Sequence, residues 1–318
     1  MLTPFKALVI GDFLLDTYIT GKVKRISPEA PVPILQVEKE ESRPGGAGNV
    51  AVNLVSLGGE VTAVGRIGND REGEGLKKAL AKEGVNVSGL IEEAGYATPV
   101  KKRLIASSQQ ILRVDREKIV PIKKEIEEQI VSQLTRWIGR VQVIAISDYA
   151  KGFVSPFLLK KIIEIGVQKK LPVIIDPKGS DFTKYRGATL LKPNLSEAYK
   201  AAKMDEEESL DVVAADILLR SEIETLLITR SDAGMSVFEK GGRFDFPVRM
   251  KKEVKDVTGA GDTVLAVICA AYANGLPISQ AAELANIAAG IAIEHIGCAR
   301  VTVSELTQRL AEIRTISF

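Results

Sequence analysis

The amino-acid sequence predicts an α/β fold with a mostly parallel central sheet, helices on both of its faces and a small β lid. Short β-branched runs alternate with longer stretches of helical periodicity, the pattern of a chain that crosses one sheet repeatedly. The short runs are almost continuously apolar, as strands must be when helices cover both faces of a sheet. Two further segments alternate apolar and polar residues and predict the lid.

The elements of the main layer follow from these patterns in chain order. Strands are predicted where short apolar, β-branched runs occur, at residues 7–10, 61–64, 143–146, 172–175, 189–191 and 225–228. Helices are predicted where apolar positions recur every three or four residues, at 47–57, 72–83, 123–138, 156–168, 210–220, 261–273, 279–296 and 304–313.

The two segments outside this layer are residues 17–41 and 99–115. The first contains Pro28, Pro31 and Pro33 among alternating hydrophobic residues, and the second alternates apolar and basic residues. Because proline is tolerated at the edge of a sheet but not in a central parallel strand, we predict a separate small sheet that folds over a site as a lid. No internal repeat or linker is visible, so the whole of 1–318 is predicted to form one domain with this lid.

The composition excludes several classes of protein. The 318 residues include 43 Lys and Arg against 41 Asp and Glu, a net charge of +2 without a long basic block, which disfavours a nucleic-acid-binding protein. Two cysteines without CxxC spacing and one histidine disfavour a zinc or redox centre. The longest apolar run, 264–273, is about half a membrane span, so we expect a cytoplasmic protein that does not bind membranes.

The strongest chemical motif is Asp-Val-Thr-Gly-Ala-Gly-Asp-Thr at residues 256–263, directly before a long apolar helix. Its glycines free the backbone so that consecutive N–H groups can point at one anion, and the helix adds its positive end there. A carboxylate at Asp262 should repel phosphate, but it is suited to removing a proton from a hydroxyl that attacks phosphorus. The alternative is that Asp262 only caps the helix and the glycines form a tight turn.

A second glycine-rich motif, Pro-Gly-Gly-Ala-Gly-Asn at residues 44–49, leads into a predicted helix. Gly45 and Gly46 permit close approach of a ligand to the backbone, and Asn49 offers a donor and an acceptor to sugar hydroxyls. The motif also matches the spacing of a dinucleotide fingerprint. That fingerprint must directly follow a strand, whereas the residues before this motif are charged and broken by proline, so an oxidoreductase is disfavoured.

Polar residues elsewhere are candidates for contacts with ligand hydroxyl groups and with an anion. Asp12 follows the first strand, and open α/β sheets bind ligands at the carboxyl ends of their strands. There its carboxylate can accept hydrogen bonds from sugar hydroxyls, with capping of a helix or turn as the alternative. Lys101 and Arg103 alternate in the second lid segment and so point to one face, where they can bind a phosphate or form a solvated surface.

Together, the two glycine-rich motifs resemble the signatures of the ribokinase-like, or phosphofructokinase-B, family of carbohydrate kinases. The resemblance covers essentially the whole chain, with both signatures at the expected separation. It implies an ATP-dependent kinase in which Gly259, Ala260 and Gly261 form an anion hole for the transferring phosphoryl group. In that arrangement Asp262 is the catalytic base.

The resemblance also implies a Mg²⁺-dependent ATP site. Asn194 and Glu197 resemble the family's NxxE motif, whose carboxylate organises Mg²⁺ through water, although the same spacing fits a capping box at a helix start. Asp256 and Thr258 match positions where some members of the family hold K⁺. The other residues expected to contact ATP are Lys178, Leu195, Ser196, Thr229, Arg230, Gly234 and Asn286.

Four further segments give a narrower resemblance, to the D-glycero-β-D-manno-heptose-7-phosphate kinases. They are residues 25–33, 147–152, 176–179 and 192–197. The resemblance implies phosphorylation of the C1 hydroxyl of the heptose phosphate, on the route to ADP-heptose for lipopolysaccharide, and adds Asp148 and Lys151 to the substrate-binding residues. In many bacteria this kinase is fused to an adenylyltransferase. Here the chain stops soon after the kinase region, so we expect a separate adenylyltransferase downstream.

Two rival functions remain open at the level of sequence. One is a kinase for another sugar or sugar phosphate, such as fructose 1-phosphate or ribose, because a fold does not fix the substrate. The other is a non-catalytic sugar-binding regulator, which would need no general base. Hydrophobic residues of the lid, such as those at 32–35, predict a homodimer because a partner would cover them.

Overall fold

The computed structural model describes residues 2–107, 109–249 and 253–316; residue 108, within the second predicted lid segment, lies outside them. The strands fall into two groups, long ones near the N-terminus and short ones in the remainder of the chain. They are β1 (Phe5–Gly11), β2 (Phe13–Ile26), β3 (Pro33–Gly46), β4 (Gly59–Gly68), β5 (Asn86–Glu93), β6 (Val100–Ala106), β7 (Gln109–Arg116), β8 (Val143–Ser147), β9 (Val173–Asp176), β10 (Leu190–Leu191), β11 (Thr225–Thr229), β12 (Met235–Glu239) and β13 (Gly242–Phe246).

The helices lie between the strands in the first two thirds of the chain and follow one another at its end. They are α1 (Ala47–Ser56), α2 (Arg71–Lys82), α3 (Lys124–Ile138), α4 (Pro156–Lys169), α5 (Leu195–Ala202), α6 (Leu210–Ser221), α7 (Ala260–Ala273), α8 (Ile278–Ala292) and α9 (Val303–Ile316). Side chains cap several of them; for example, Asp70 and Ser155 accept hydrogen bonds from the first turns of α2 and α4. Within the described ranges, none of these helices has both the length and the apolar character needed to cross a membrane.

Nine strands of the described residues form one sheet in the order β13-β12-β11-β10-β9-β8-β1-β4-β5. Neighbouring strands run parallel from β5 to β11, and β12 and β13 extend the sheet as an antiparallel edge. Parallel neighbours require crossover connections, and most of the helices supply them. The predicted α/β class with a mostly parallel sheet is confirmed.

Strand β1 shows why the central strands are continuously apolar. Ala7 and Val9 enter a hydrophobic core shared with α1, α7 and α8. Leu8 and Ile10 point the other way, into a core shared with α3, α4 and α6. Side chains alternate across a strand, so a strand covered on both faces must be apolar at every position.

A second sheet contains the two segments that did not fit the main layer. Within the described residues it has four strands in the order β3-β2-β6-β7. Strand β2 pairs antiparallel with β3 and parallel with β6, and the sheet extends beyond the predicted segment, from Phe13 to Gly46. The small β sheet of the predicted fold class is therefore present, and β7 is exposed along its whole length.

The structure differs from the predicted elements mainly at the edges of the main sheet. Strands β5, β12 and β13 were not predicted because polar residues interrupt each of them, so none is a continuous apolar run. Helix α8 ends at Ala292, before the predicted end at 296. The carbonyl of Ile293 accepts hydrogen bonds from the N–H groups of Lys255 and Asp256 instead of from a continuing helix.

Candidate active site

Polar residues at the ends of four parallel strands meet at one edge of the main sheet. Asp12 follows β1, Asp148 follows β8, Asp176 ends β9 and Lys192 follows β10. Because these strands are parallel neighbours, their carboxyl ends lie side by side, and each places the next polar residue at the same edge. Open α/β sheets bind ligands at this edge.

The first turn of α7 faces this edge. Gly259 caps the helix with φ of 79°, a left-handed conformation, and a Cβ there would lie 2.6 Å from Nδ2 of Asn49, so the position requires glycine. A Cβ on Gly261 would lie 3.5 Å from Nζ of Lys192, so this turn faces a buried ammonium group. The N–H groups of a first turn have no partner within the helix and can bind an anion; here that of Ala260 donates to the carbonyl of Val257, before the helix, at 3.3 Å.

Asp262 is buried in this turn and held by two side chains. It is 3% exposed; Nδ2 of Asn49 donates to its Oδ2 at 2.8 Å, and the hydroxyl of Tyr149 donates to its Oδ1 at 2.9 Å. Burial raises the pKa of Asp262 to about 7, and the nearby charge of Asp176 acts in the same direction. A carboxyl with a pKa near neutrality can accept a proton in a reaction at physiological pH.

An ion pair lies next to Asp262. Nζ of Lys192 is 3.0 Å from Oδ1 of Asp176, and Lys192 is only 3% exposed. Burial raises the pKa of Asp176 to about 6, which Lys192 opposes and Glu197 reinforces. The site therefore contains two carboxyls of raised pKa and one ammonium group, beside the first turn of α7.

The predicted Asn194 and Glu197 form a capping box at the start of α5. Oδ1 of Asn194 accepts from the N–H of Glu197 at 2.9 Å, and Oε2 of Glu197 accepts from the N–H of Asn194 at 3.0 Å. The other oxygen of Glu197 pairs with Lys178. The helix-start interpretation of this motif is thus correct, and Leu195 and Ser196 are exposed beside it.

The loops after β10 and β11 lie together. The N–H of Thr229 donates to the carbonyl of Pro193 at 3.0 Å, and Asn194 and Thr229 form a β-bridge. Arg230 lies 3.4 Å from Asp245, and Gly234 has φ of 81° with no room for a Cβ against the carbonyl of Phe246. Several of the predicted ATP-binding residues therefore share one surface.

Asn286 lies on α8 beside the β13 edge of the main sheet. Its Nδ2 donates to the carbonyls of Phe246 and Pro247, at 3.1 and 2.8 Å. It lines a cavity of about 120 Å³ with Asp245, Arg249 and other residues. The structure thus uses the Asn286 amide to hold the chain after β13, next to an open cavity.

The glycines of the second motif bring the second sheet against the site. Gly46 ends β3 with φ of 56°, and a Cβ on Gly45 would lie 2.2 Å from Oδ2 of Asp16. Helix α1 begins directly after them and carries Asn49. Asn49 was predicted to bind sugar hydroxyls, but its Nδ2 donates to Asp262 and its Oδ1 accepts from Asn53 at 3.2 Å.

Asp12 organises the loop that follows β8. Its Oδ2 accepts from the N–H groups of Tyr149 and Lys151 at 2.9 and 3.0 Å, and its Oδ1 accepts from the N–H of Phe153 at 3.3 Å. Burial raises its pKa although these N–H groups favour the charged form. Most of the carboxylate's capacity is therefore used within the protein, and sugar binding by Asp12 remains a prediction.

Asp148 and Lys151 also have partners within the chain. Oδ2 of Asp148 accepts from Lys184 at 2.7 Å and from the hydroxyl of Tyr185 at 2.6 Å. Nζ of Lys151 pairs with Glu117 at 2.6 Å, and Glu117 follows β7 of the second sheet. Both side chains are therefore engaged within the protein, and their contacts with substrate stay predictions.

Lys101 and Arg103 lie on the same face of β6, and Lys102 between them is exposed. The guanidinium of Arg103 forms a buried ion pair with Asp16. Nζ of Lys101 lies 5.2 Å from the centre of the Tyr149 ring, and burial lowers its pKa. No ion pair of the described residues includes Lys101.

Sequence reasoning gave no role to several residues of this site. Tyr149, Asp176 and Lys192 lie within segments that carried the resemblance, yet each contacts Asp262 or its immediate neighbours. Cys298 also lies near the site, with its Sγ 3.5 Å from Oδ2 of Asp16. The position of Asp176 and Lys192 at the ends of strands could have identified them, because polar residues at the carboxyl ends of parallel strands lie at the same edge of the sheet.

Solved structures show the class of fold. Phosphofructokinase-2 from Escherichia coli, in complex with substrates and products, has a TM-score of 0.80 and 19% identity, over 98% of this chain and 100% of that chain. A ribokinase from Arabidopsis thaliana, complexed with ribose and ATP, has a TM-score of 0.74 and 17% identity, over 97% and 99%. The fold is ribokinase-like.

Sequence comparisons define the family. The sequence model of the pfkB family of carbohydrate kinases matches residues 5–305, and the chain belongs to this family. The bifunctional protein HldE of Geobacter metallireducens is 47% identical over 302 residues, and that of Trichlorobacter lovleyi 45% identical over 303 residues. These matches cover 94% and 95% of this chain but 62% of each relative, so the chain spans less than two thirds of their length.

Proposed function

We propose that this chain transfers the γ-phosphoryl group of ATP to the C1 hydroxyl of D-glycero-β-D-manno-heptose 7-phosphate. The observation that carries the proposal is Asp262, a buried carboxyl with a pKa near 7 in the first turn of a helix whose N–H groups can bind an anion. Two relatives named HldE, at 45% and 47% identity, favour a heptose phosphate over other sugars.

In the proposed reaction Asp262 accepts the proton of the C1 hydroxyl. The C1 oxygen forms a bond to the γ-phosphorus, the bond between that phosphorus and the β–γ bridging oxygen breaks, and ADP leaves. The N–H groups of Gly259, Ala260 and Gly261 stabilise the charge that develops on the transferring group. Lys192, buried beside Gly261, adds a positive charge at the same place.

ATP is assigned to the surface formed by the loops after β9, β10 and β11. There Lys178, Asn194, Thr229 and Gly234 lie near one another along the carboxyl edge, while Asn286 borders the cavity beside β13. Glu197 and Asp176, which pair with Lys178 and Lys192, are the carboxylates that would hold Mg²⁺ together with its bound waters. When bound, Mg²⁺ would neutralise charge on the phosphates of ATP.

The residues matched to a K⁺ site, Asp256 and Thr258, lie in the loop before α7. Oδ1 of Asp256 accepts from the N–H and the hydroxyl of Thr258, and its Oδ2 accepts from the N–H of Gly297 at 2.9 Å. These bonds hold the loop before α7. Activation by K⁺ therefore stays a prediction, which assays in K⁺ and in Na⁺ at equal ionic strength would test.

The sugar phosphate is assigned to the space between the second sheet and the loop after β8. Lys101 lies on the site-facing side of β6, and no ion pair of the described residues engages it, so its ammonium is available to a phosphate. Arg103 and Lys151 add positive charge nearby but already pair with Asp16 and Glu117. A substrate phosphate would compete with these carboxylates.

We further propose a homodimer that covers the second sheet and a downstream adenylyltransferase that consumes the product. The support for the first is that Ile111, Leu112 and Val114 of β7 are 44–55% exposed. The support for the second is that the relatives named HldE are bifunctional. Sedimentation of the purified chain would test the dimer.

The test of the proposed function is ADP release with Mg-ATP and a matched panel of acceptors. The panel contains heptose 7-phosphate, the same heptose without phosphate, fructose 1-phosphate and ribose. Turnover on heptose 7-phosphate alone supports the proposal. Turnover on another sugar would change the proposed substrate but keep the proposed role of Asp262 as the base. Sugar binding without ADP release would indicate a regulator.

A further inference from the structure

Tyr149 lies where it can act on the reaction, although it was not among the residues predicted to form the site. It follows Asp148 in the loop after β8, and its N–H is fixed by the Asp12 carboxylate at 2.9 Å. From this position its hydroxyl reaches across to Oδ1 of Asp262 at 2.9 Å. The loop after β8 and the first turn of α7 are thus joined by one side-chain hydrogen bond at the base itself.

The ring of Tyr149 also contacts a side chain of the second sheet. Lys101 of the second sheet lies over one face, with Nζ 5.2 Å from the ring centre. Burial raises the pKa of the Tyr149 hydroxyl well above 10, so it remains a protonated donor throughout the working range. An ionised carboxylate can only accept hydrogen bonds, so the protonated phenol is the donor in its bond with ionised Asp262.

We infer that Tyr149 is a positioning residue of the kinase reaction: its hydroxyl and the Asn49 amide hold the two oxygens of Asp262 in the orientation that accepts the proton of the substrate. Each oxygen of a carboxylate has two lone-pair sites. With one site on each oxygen used by Asn49 and Tyr149, a second site on Oδ1 or Oδ2 remains for the acceptor hydroxyl. The inference rests on the proposed role of Asp262 as the base.

The hydrogen bond also adjusts the charge state of the base. Donation from Tyr149 and from Asn49 favours the ionised form of Asp262 and opposes the rise in pKa that burial causes. The other titratable groups that face Asp262 are Asp176 at the end of β9, Lys192 after β10 and Cys298 in the loop before α9. Loss of the Tyr149 hydroxyl leaves these groups in place, so its removal should raise the pKa of Asp262.

The experiment compares pH profiles of kcat/KM for the wild-type enzyme, Tyr149→Phe and Tyr199→Phe, with the acceptor that the ADP-release panel identifies. In Tyr149→Phe the acid limb should move to higher pH by about one unit, the size expected for one hydrogen bond to a charged group. At a pH on the acid limb this shift lowers kcat/KM by about tenfold, whereas kcat/KM on the plateau changes little and the KM for ATP is unchanged. Tyr199→Phe is the control, because that hydroxyl donates to the carbonyl of Glu208 and not to Asp262.

A second variant keeps the test valid if Tyr149→Phe folds poorly. Replacement of Tyr149 by 3-fluorotyrosine preserves the shape and makes the phenol a stronger donor, so the acid limb should move to lower pH. Opposite shifts in the two variants support the inference. An acid limb that coincides with the wild-type limb in both, or that moves in the reverse directions, overturns it.

Asp262→Asn separates the inference from the proposed function. If Asp262→Asn retains wild-type turnover, Asp262 is not the base and the proposed mechanism fails. If Asp262→Asn is inactive while the Tyr149 variants keep the wild-type acid limb, only the positioning role of Tyr149 fails.

Discussion

Two clusters of buried charge in this protein differ in how their charges are balanced. In the first, Arg66 is 1% exposed and lies 3.0 Å from Glu93, which is 3% exposed, and its guanidinium also donates to the carbonyl of Lys151 at 2.9 Å. In the second, Asp262 lies near Asp176, with Lys192 as the neighbouring cation. One cluster pairs opposite charges directly, and the other places two carboxyls against one ammonium group.

The difference teaches which buried charge can take part in a reaction. Direct pairing of Arg66 with Glu93 neutralises both charges, and the guanidinium also donates to the loop after β8. At Asp262 burial and the charge of Asp176 raise the pKa to about 7, so this group can change its protonation near neutral pH. The first cluster is expected to govern stability, and the second turnover.

The largest expected effect is on turnover at Asp262. Asp262→Ala should lower kcat by about 10²–10⁴-fold, because the base is lost while the ATP surface is unchanged. Rapid-quench measurement of ADP formation would give the rate, and circular dichroism would verify the fold. Comparable turnover in the folded variant would show that the second cluster is not catalytic.

The next largest effect is on stability at Glu93. Glu93→Leu should lower the free energy of unfolding by about 3–5 kcal/mol, since it leaves Arg66 buried without its counterion. Glu60→Leu is the control, because the Lys6–Glu60 pair is exposed and should contribute about 0–1 kcal/mol. Urea denaturation of both variants checks this, and equal losses would contradict the distinction between buried and exposed pairs.

Asp262 should also make the stability of the folded chain depend on pH. A pKa of about 7 in the folded state lies above the ordinary value of 3.8, so the folded protein binds the proton more tightly than the unfolded chain. Stability from this group is therefore complete below about pH 4 and falls as the pH rises to about 7, by on the order of a few kcal/mol. In Asp262→Asn this decline should be shallower, as urea denaturation across that pH range would measure; equal slopes would contradict a raised pKa.

The smallest expected effect concerns the cation that lies between the second sheet and Tyr149. Lys101→Met should raise the KM for a phosphorylated acceptor by about tenfold or more, the loss expected for one charge-assisted hydrogen bond. Lys102→Met is the matched control, since Lys102 is exposed beside it on the strand. An equal change in the KM for the acceptor in both variants would show that Lys101 does not bind the substrate phosphate.

Much of the fold could be predicted because its signals are local. The six predicted strands all occur, since buried parallel strands such as β1 and β8 are apolar at every position. The edge strands β5 and β13 escaped prediction because an exposed edge carries no such signal. Their pairing depends on contacts with neighbours distant in the sequence.

The site could be predicted only in part. Asp262 and the glycines before it could be recognised in the sequence because glycine marks a backbone conformation that other residues rarely adopt. Gly259, with its positive φ, is the example. The partners of Asp262 could not be predicted, since Tyr149 is 113 residues away and Asn49 is 213 residues away. For Asp12 the sequence indicated its position at a strand end but not that backbone N–H groups occupy its carboxylate.

The most direct test is a titration of the aspartate carboxyl groups by ¹³C NMR in the wild-type enzyme and in Asp262→Asn. The account predicts aspartate resonances that titrate near pH 6 and near pH 7, the values expected for Asp176 and Asp262, with the higher one absent from the variant. A wild-type spectrum in which every aspartate titrates below about pH 5, the range of ordinary carboxyls, would contradict the account.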